Sequence, residues 1–165
     1  MIKRELYMNR IRPFIGGELI KVMTGIRRSG KSVMLELIKE ELAEAGVAPS
    51  QMISINFEDM RYSHLQTATA LHDEIIKRAE GIEGKAYLFF DEIQEVEGWE
   101  KCVNSLRVAL DCDIYITGSN AKLLSGELAT YIGGRYVEFV IYPFSFAEFL
   151  ELYHTIAPND SIQQC

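Results

Sequence analysis

Apolar strand-like segments alternate with helix-like segments along this chain, and this alternation constrains the fold more than any other feature. The strand-like segments span residues 19–24, 52–57, 87–90, 113–117 and 136–142. Helices are predicted over residues 33–45, 71–79, 99–110, 123–128 and 146–153, from apolar residues at 3.6-residue spacing. Strands that alternate with helices predict an α/β fold of three layers, with a mainly parallel five-stranded sheet covered by helices on both faces.

The composition favours one globular domain and disfavours two classes of partner. The chain has 165 residues, of which 48% are hydrophobic, and no Gly/Ser linker or repeat divides it. Its net charge of −7 argues against non-specific binding to nucleic acid or to anionic membranes. The longest unbroken apolar run, residues 86–90, is too short to span a bilayer. The sequence therefore does not indicate a nucleic acid partner, although a local basic patch stays open, and we expect no membrane partner.

The N-terminus and the cysteines predict a cytoplasmic location. Residues 1–5 lack the apolar stretch of a signal peptide. Cys102, Cys112 and Cys165 are widely spaced and odd in number, which argues against a disulfide framework. A reducing compartment is the simplest expectation.

A glycine-rich segment connects the first predicted strand to the first predicted helix. It fits G-x-x-x-x-G-K-[ST] at every fixed position and contains Gly25, Ile26, Arg27, Arg28, Ser29, Gly30, Lys31 and Ser32. The glycines let the backbone close on a polyphosphate, whose charge the amide N–H groups and the helix N-terminus bind. Lys31 is expected to reach the β- and γ-phosphates and Ser32 to bind Mg²⁺. The alternatives are a chance match in a turn and, for the two arginines, solvated side chains.

Two carboxylates end the third predicted strand. Asp91 and Glu92 directly follow the apolar run 87–90. A buried strand does not end in carboxylates unless positive charge lies nearby. Asp91 is expected beside Ser32 as a magnesium ligand, and Glu92 is expected to orient or deprotonate an attacking water. The alternative is a charged surface turn, because further acidic residues follow.

Polar residues near three other strand ends are further candidates for the site. Asn56 ends the second strand, and Ser119 and Asn120 follow the fourth. Such side chains can hold the nucleophilic water near a γ-phosphate, although they are equally common as turn and N-cap residues. Arg135, after two glycines, is a candidate finger toward a phosphate of its own or a neighbouring subunit, or else a surface residue.

Six segments, in this order, resemble the AAA-type ATPases of bacteria and archaea that carry a C-terminal domain of unknown function. They are residues 25–32, 56–59, 89–92, 116–120, 134–135 and 142–146, and the resemblance covers residues 2–152. It implies an AAA+ core that uses ATP and Mg²⁺. The implied roles are Walker A for Lys31 and Ser32, Walker B for Asp91 and Glu92, a sensor for Ser119 or Asn120, and for Asn56 a switch that holds Glu92 back until a partner binds. Arg135 matches a recurrent Gly-Arg pair of the family.

The expected function is Mg²⁺-dependent ATP hydrolysis that drives a conformational change in a larger protein or assembly. Residues 1–155 are expected to form the ATPase core and residues 156–165 a tail or the remnant of a truncation, since family members are usually more than twice as long. The expected partners are ATP and either further copies of the chain or a C-terminal domain. The absence of an N-K-x-D motif favours ATP over GTP. A nucleotide-gated interaction module and a small-molecule kinase remain alternatives.

Overall fold

The computed structural model describes residues 4–26, 28–119, 123 and 132–143. Its strands are β1 (Ile20–Thr24), β2 (Met52–Asn56), β3 (Ala86–Asp91), β4 (Cys112–Gly118) and β5 (Tyr136–Val140). Its α-helices are α1 (Glu5–Ile11), α2 (Lys31–Glu44), α3 (Ala68–Ala79) and α4 (Trp99–Ala109). Short 3₁₀ segments lie at Arg12–Phe14, Pro49–Gln51, Met60–Leu65 and Ile93–Glu95.

Within these residues the strands form one parallel sheet in the order β2-β3-β4-β1-β5. Val22 in the middle of β1 lies opposite Ile116 of β4 on one side and Glu138 of β5 on the other. Asn56 lies opposite Asp91 where β2 and β3 end. Because all strands run the same way, their carboxyl ends meet at one edge of the sheet, where ligands bind in open parallel sheets. The predicted α/β architecture is confirmed, and the sheet is wholly parallel.

Each face of the sheet packs against its own hydrophobic core, because successive strand residues point to opposite faces. On one face Leu88 and Phe90 pack with α3 and α4 through residues such as Leu71 and Val103. On the other face Phe89 packs with α1 and α2. Continuous apolar runs such as that of β3 are the sequence expression of a sheet covered on both sides.

A buried polar cluster lies toward the edge of the sheet where the strands begin. Lys21 of β1 forms an ion pair with Asp113 of β4, and both side chains are fully buried. Asp113 Oδ2 also accepts hydrogen bonds from the Tyr115 hydroxyl (2.6 Å) and from the backbone N–H of Gly16 (2.9 Å). Lys21 Nζ donates to the carbonyl of Gly17 at 2.8 Å. The cluster therefore fixes the loop before β1 to β4 with its charges paired.

Most element boundaries differ from the sequence predictions by one to three residues, and three of the differences have a visible structural reason. The sequence pattern does not predict helix α1, because only three of its seven residues are buried and they leave too little periodic signal. Helix α2 begins at Lys31 rather than residue 33, since Gly30 is its N-cap. Strand β5 ends at Val140 rather than residue 142, because the Tyr142 N–H donates to the hydroxyl of Tyr7 on α1 (3.1 Å).

The helices predicted over residues 123–128 and 146–153 lie outside the described residues, except for Leu123, which is helical and buried. Among the helices that the structure does describe, none combines the length and the apolar character needed to cross a bilayer.

Candidate nucleotide-binding site

The glycine-rich loop leaves the carboxyl end of β1 and enters α2, and its two fixed glycines are required by their surroundings. A Cβ atom at Gly25 would collide with the carbonyl oxygen of Ile141 and with Ser29 Oγ. Gly30 has φ +97°, and a Cβ there would collide with a guanidinium nitrogen of Arg4. The loop backbone is thus packed from behind, and side chains at these positions would force it out of shape.

The variable positions of the loop are a mixture of exposed and buried groups. Ile26 and Arg28 are exposed, and Arg28 has a positive φ of 66°. Ser29 is buried, and its hydroxyl oxygen has no hydrogen-bond partner among the described residues. A buried hydroxyl without a partner in a loop of this shape fits a ligand that supplies hydrogen-bond acceptors. Arg27 lies outside the described residues.

Lys31 begins α2 and is buried at the mouth of the loop. Its Nζ donates to the carbonyl oxygen of Gly25 at 2.6 Å and lies 3.5 Å from Glu92 Oε1. A buried ammonium group needs negative charge close by. The lysine therefore lies between the loop and the carboxylate that follows β3.

Asp91 and Ser32 meet across the interface between β3 and α2. Ser32 Oγ donates to Asp91 Oδ2 at 2.6 Å. Thr117, fully buried on β4, donates through its hydroxyl to Asp91 Oδ1 at 2.5 Å. The same hydroxyl oxygen accepts the N–H of Glu92 at 2.9 Å. Thr117 thus aligns both acidic residues, a role whose only sequence signal is a polar residue in an apolar strand.

Glu92 adopts a left-handed backbone conformation, with φ +57° and ψ +51°. A non-glycine residue in this region costs of order 1–3 kcal/mol and persists where the surroundings impose it. This backbone conformation directs the carboxylate toward Lys31, which lies close to Oε1. The other oxygen, Oε2, accepts a hydrogen bond from Gln94 Nε2 at 2.5 Å. Gln94 is not among the residues that the sequence motifs select.

The remaining predicted residues lie less centrally. Asn56 is exposed, and its amide oxygen accepts the N–H of Glu58 at 3.0 Å, so its described contact is local rather than with Glu92. The backbone oxygen of Ser119 accepts the N–H of Leu123 at 2.9 Å. Asn120 lies outside the described residues. The sensor and switch roles stay predictions.

Arg135 lies at the opposite edge of the sheet from the loop. It is exposed, immediately precedes β5, and its carbonyl oxygen accepts the N–H of Ile20 at 2.9 Å. The five residues of β5 separate it from the carboxyl edge, a distance of about 16 Å at 3.3 Å per residue. Arg135 is therefore too far from the loop to reach a phosphate bound in the same chain. A finger role toward a phosphate bound in a neighbouring subunit stays a prediction.

Arg4 is a residue of the site that the sequence did not reveal. It precedes α1, is 7% exposed, and donates through Nη1 to the carbonyl of Ser29 and through Nη2 to that of Tyr142, both at 2.6 Å. Its guanidinium carbon also lies 4.6 Å from the ring centre of Tyr7. One buried cation thus holds the phosphate loop against the segment that follows β5. Both acceptors are backbone carbonyls 25 and 138 residues away, so no residue pattern marks the contact.

The fold and these contacts together define a class of protein. A glycine loop between a central parallel strand and a helix, with its lysine and hydroxyl facing an acidic pair on a neighbouring strand, is the architecture of P-loop nucleotide-binding proteins. The comparison with known families identifies which family within this class the chain belongs to. The AAA domain family matches residues 17–150, and the chain belongs to that family.

The curated relatives of the chain are longer than the chain itself. An uncharacterized protein of Haemophilus influenzae is 48% identical over 150 residues, which are 91% of this chain and 38% of that protein. An uncharacterized protein of Methanocaldococcus jannaschii is 41% identical over 133 residues, 80% of this chain and 28% of that protein. The chain therefore spans less than two-fifths of the length of either relative.

Solved structures share the fold at low sequence identity. The Orc1 protein of Aeropyrum pernix, solved in complex with DNA, has a TM-score of 0.61 at 18% identity and covers 96% of this chain and 50% of its own. A DNA polymerase III gamma-subunit-related protein of Thermotoga maritima has a TM-score of 0.62 at 12% identity, with 90% and 49% covered. A point mutant of RuvB from the same organism gives 0.55 at 17% identity, with 95% and 51% covered. These likenesses establish the P-loop AAA+ fold.

Proposed function

We propose that this chain binds Mg²⁺-ATP at residues 25–32 and hydrolyses it. The observation that carries the proposal is the contact of Ser32 Oγ with Asp91 Oδ2 at 2.6 Å, directly beside a buried lysine at the mouth of a glycine loop. A hydroxyl and a carboxylate are the hard oxygen ligands that Mg²⁺ prefers. Family membership supports nucleotide binding in the same place.

Each residue of the site has a definite task in this proposal. The loop amides and Lys31 bind the β- and γ-phosphates. When a nucleotide binds, the phosphate oxygens replace the Gly25 carbonyl as the hydrogen-bond acceptor of Lys31 Nζ. Ser32 and Asp91 hold the metal ion, which when bound neutralises charge on the phosphate oxygens. Glu92 orients a water and accepts its proton as the water oxygen bonds to the γ-phosphorus. The bond between that phosphorus and the bridging oxygen breaks, and ADP leaves with the electron pair.

Binding is tested with a fluorescent ATP analogue and Mg²⁺. Lys31→Ala is expected to weaken binding by at least about tenfold, because it removes the buried charge that faces the phosphates. Lys85→Ala serves as the control, since Lys85 lies on the loop before β3 and contacts Gly16 and Asp111 instead. Equal affinity of Lys31→Ala and the wild type would refute the site.

Hydrolysis is tested by phosphate release. Glu92→Gln is expected to retain ATP binding and to lose turnover by about a hundredfold or more, the usual contribution of a general base. Normal turnover of this variant would refute the assignment of the base, whereas absence of turnover in the wild type would leave a nucleotide-gated binding module as the better description.

A specific feature keeps the kinase alternative open to test. An open groove beside the loop is lined by Ser32, Lys39, Ser54, Asn56 and Asp91, where an acceptor molecule would have access to the γ-phosphate. Phosphate release without any added acceptor supports the ATPase. Release that depends on an added small-molecule acceptor supports the kinase.

We further infer that residues 1–155 act as the ATPase core of a larger protein or assembly that uses the energy of hydrolysis for a conformational change. The relatives, of which this chain covers 38% and 28%, support this inference. The partner is either a second copy of the chain or a C-terminal domain of the kind that the family resemblance implies. Size-exclusion chromatography with and without Mg²⁺-ATP tests the first; no shift in elution volume contradicts nucleotide-dependent self-assembly.

A further inference from the structure

The side chain of Gln94 occupies the space between the proposed base and the end of β4. Its Nε2 donates to Glu92 Oε2 at 2.5 Å, the only hydrogen bond that the Glu92 carboxylate receives from a neutral side chain among the described residues. Its Oε1 lies so close to Gly118 that a Cβ there would collide with it. The amide is therefore held between two fixed points, the carboxylate and the backbone of β4.

The hydrogen-bond pattern fixes which way the amide faces. Gln94 Oε1 is buried and has no hydrogen-bond partner among the described residues. Turning the amide over would place this oxygen against the Glu92 carboxylate, two acceptors face to face. Among the described residues this orientation leaves Oε1 without a donor and keeps the Nε2 donor on the Glu92 carboxylate.

The two partners of the Glu92 carboxylate, Lys31 and Gln94, differ in whether a bound phosphate group competes for them. Lys31 Nζ, 3.5 Å from Oε1, is the cation that the phosphates attract, so this contact competes with nucleotide. Gln94 is uncharged, so the phosphates do not attract it as they attract Lys31, and its bond to Oε2 does not compete with nucleotide. The amide then holds one carboxylate oxygen while the other becomes available to a water.

The geometry points to Gln94 as the positioning residue that holds the Glu92 carboxylate in place for general-base catalysis. This inference rests on the proposed ATPase function. It is distinct from the switch role that the family resemblance implies for Asn56, which would hold Glu92 back until a partner binds; the amide oxygen of Asn56 accepts the N–H of Glu58. The positive φ of Glu92 is what turns a side chain two residues later back onto its carboxylate.

The first test is steady-state ATP hydrolysis by Gln94→Met, which keeps the length of the side chain and removes the donor. We expect kcat to fall by about tenfold to a hundredfold, since a loosely held catalytic group is costly, with the affinity for a fluorescent ATP analogue unchanged within about twofold.

Gln94→Glu provides a second variant of the same size with the opposite chemistry. Its side chain offers the Glu92 carboxylate an acceptor in place of a donor, so kcat is expected to fall at least as far as in Gln94→Met. Gln66→Met is the matched control, because Gln66 is also half-buried and donates to a backbone carbonyl, that of Phe57, at 3.3 Å. An unchanged kcat in both Gln94 variants would overturn the inference while leaving the ATPase proposal intact.

A readout without turnover separates the two proposals. In nitrogen-15 NMR spectra of the nucleotide-free protein, Glu92→Gln is expected to shift the side-chain amide resonances of Gln94, and Glu95→Gln, an exposed carboxylate in the same 3₁₀ turn, is not. If the resonances respond but the wild type does not hydrolyse ATP, the contact stands and the proposed function fails. If they do not respond to Glu92→Gln, the positioning contact is refuted whatever the activity.

Discussion

Gly30 must be glycine for two separate reasons, its backbone conformation and the close approach of a neighbouring side chain. Its φ of +97° lies in the left-handed region, and the space where a Cβ would stand is filled by the guanidinium of Arg4. Gly46, just after α2, has nearly the same φ of +99° but open space around it. The two glycines therefore separate the cost of backbone strain from the cost of a lost close approach.

Two single variants, one with alanine at each glycine, measure the difference between these two costs. Gly46→Ala is expected to lower the free energy of unfolding by about 1 kcal/mol through strain alone. Gly30→Ala is expected to cost about 1–3 kcal/mol more, because Arg4 must also move, and to weaken binding of an ATP analogue. Urea denaturation and fluorescence titration measure the two quantities. Equal losses of stability, with unchanged affinity, would mean that the contact with Arg4 is not limiting.

Tyr115 is the residue whose ionisation the fold most strongly opposes. Burial, and then the negative charge of Asp113, raise the pKa of Tyr115 far above its ordinary value. A group whose pKa is higher in the folded state stabilises the fold below its unfolded pKa of about 10, and the contribution is lost as the pH rises further. The loss is about 1.4 kcal/mol per pH unit above 10.

Tyr115→Phe removes this dependence. At pH 7 the variant is expected to be about 1 kcal/mol less stable, because Asp113 loses the hydroxyl donor at 2.6 Å. Close to pH 10 the loss has not yet reached its limiting slope of about 1.4 kcal/mol per pH unit. The stability difference from the wild type is therefore expected to fall by about 1 kcal/mol between pH 10 and pH 11 and to pass through zero there. Urea denaturation at several pH values measures it, with Tyr136→Phe, a half-buried tyrosine, as control. A constant difference across this range contradicts the assignment.

Helix α1 matters to the site although it contributes nothing to the glycine motif. Its residues Tyr7, Met8 and Ile11 are buried against the same face of the sheet as α2. Arg4, at its start, reaches both the Ser29 carbonyl and the Tyr142 carbonyl. The element is therefore a support for the back of the phosphate loop.

Arg4→Lys tests this support, because a lysine keeps the charge but cannot donate in two fixed directions at once. The variant is expected to bind the ATP analogue about tenfold more weakly, which corresponds to about 1.4 kcal/mol and is close to the lower end of what a charge-assisted hydrogen bond contributes. Arg10→Lys, an exposed arginine on the same helix, is the control. If both variants bind like the wild type, α1 does not support the loop.

The elements that the sequence predicted well are those whose signal is local. The apolar run before Asp91 and the glycines around Lys31 marked β3, β1 and the loop without any knowledge of distant residues. Arg4 and Gln94 escaped because their contacts depend on tertiary geometry. Arg4 bonds to distant backbone carbonyls, and Gln94 meets Glu92 only because Glu92 adopts a positive φ. The roles of Asn56 and Ser119 were suggested by type and position alone and stay predictions.

At the scale of the whole molecule, the sheet shields groups that would be reactive on a surface. Cys102 on α4 packs into the core, and burial raises the pKa of its thiol to about 12. Burial, followed by the charge of Asp113, raises the pKa of the Cys112 thiol to about 11. Both thiols are therefore protonated throughout the physiological range.

Alkylation by iodoacetamide at pH 8, read peptide by peptide, tests the shielding. Against an ordinary thiol pKa of about 8.5, the thiolate fraction of Cys102 is lower by roughly a thousandfold, so labelling is expected to be slow until urea unfolds the chain. Cys112 is expected to follow the same course. Rapid labelling of either thiol in the native protein would show that the core opens locally at α4 or at the start of β4.

Because the Arg4 guanidinium donates to the carbonyls of both Ser29 and Tyr142, it links the phosphate loop directly to the segment after β5. Any displacement of the loop backbone at Ser29 pulls on Arg4 and, through it, on Tyr142, without passing through the sheet. The loop at Ser29 and the end of the described segment after β5 at Tyr142 are thus joined by a single side chain.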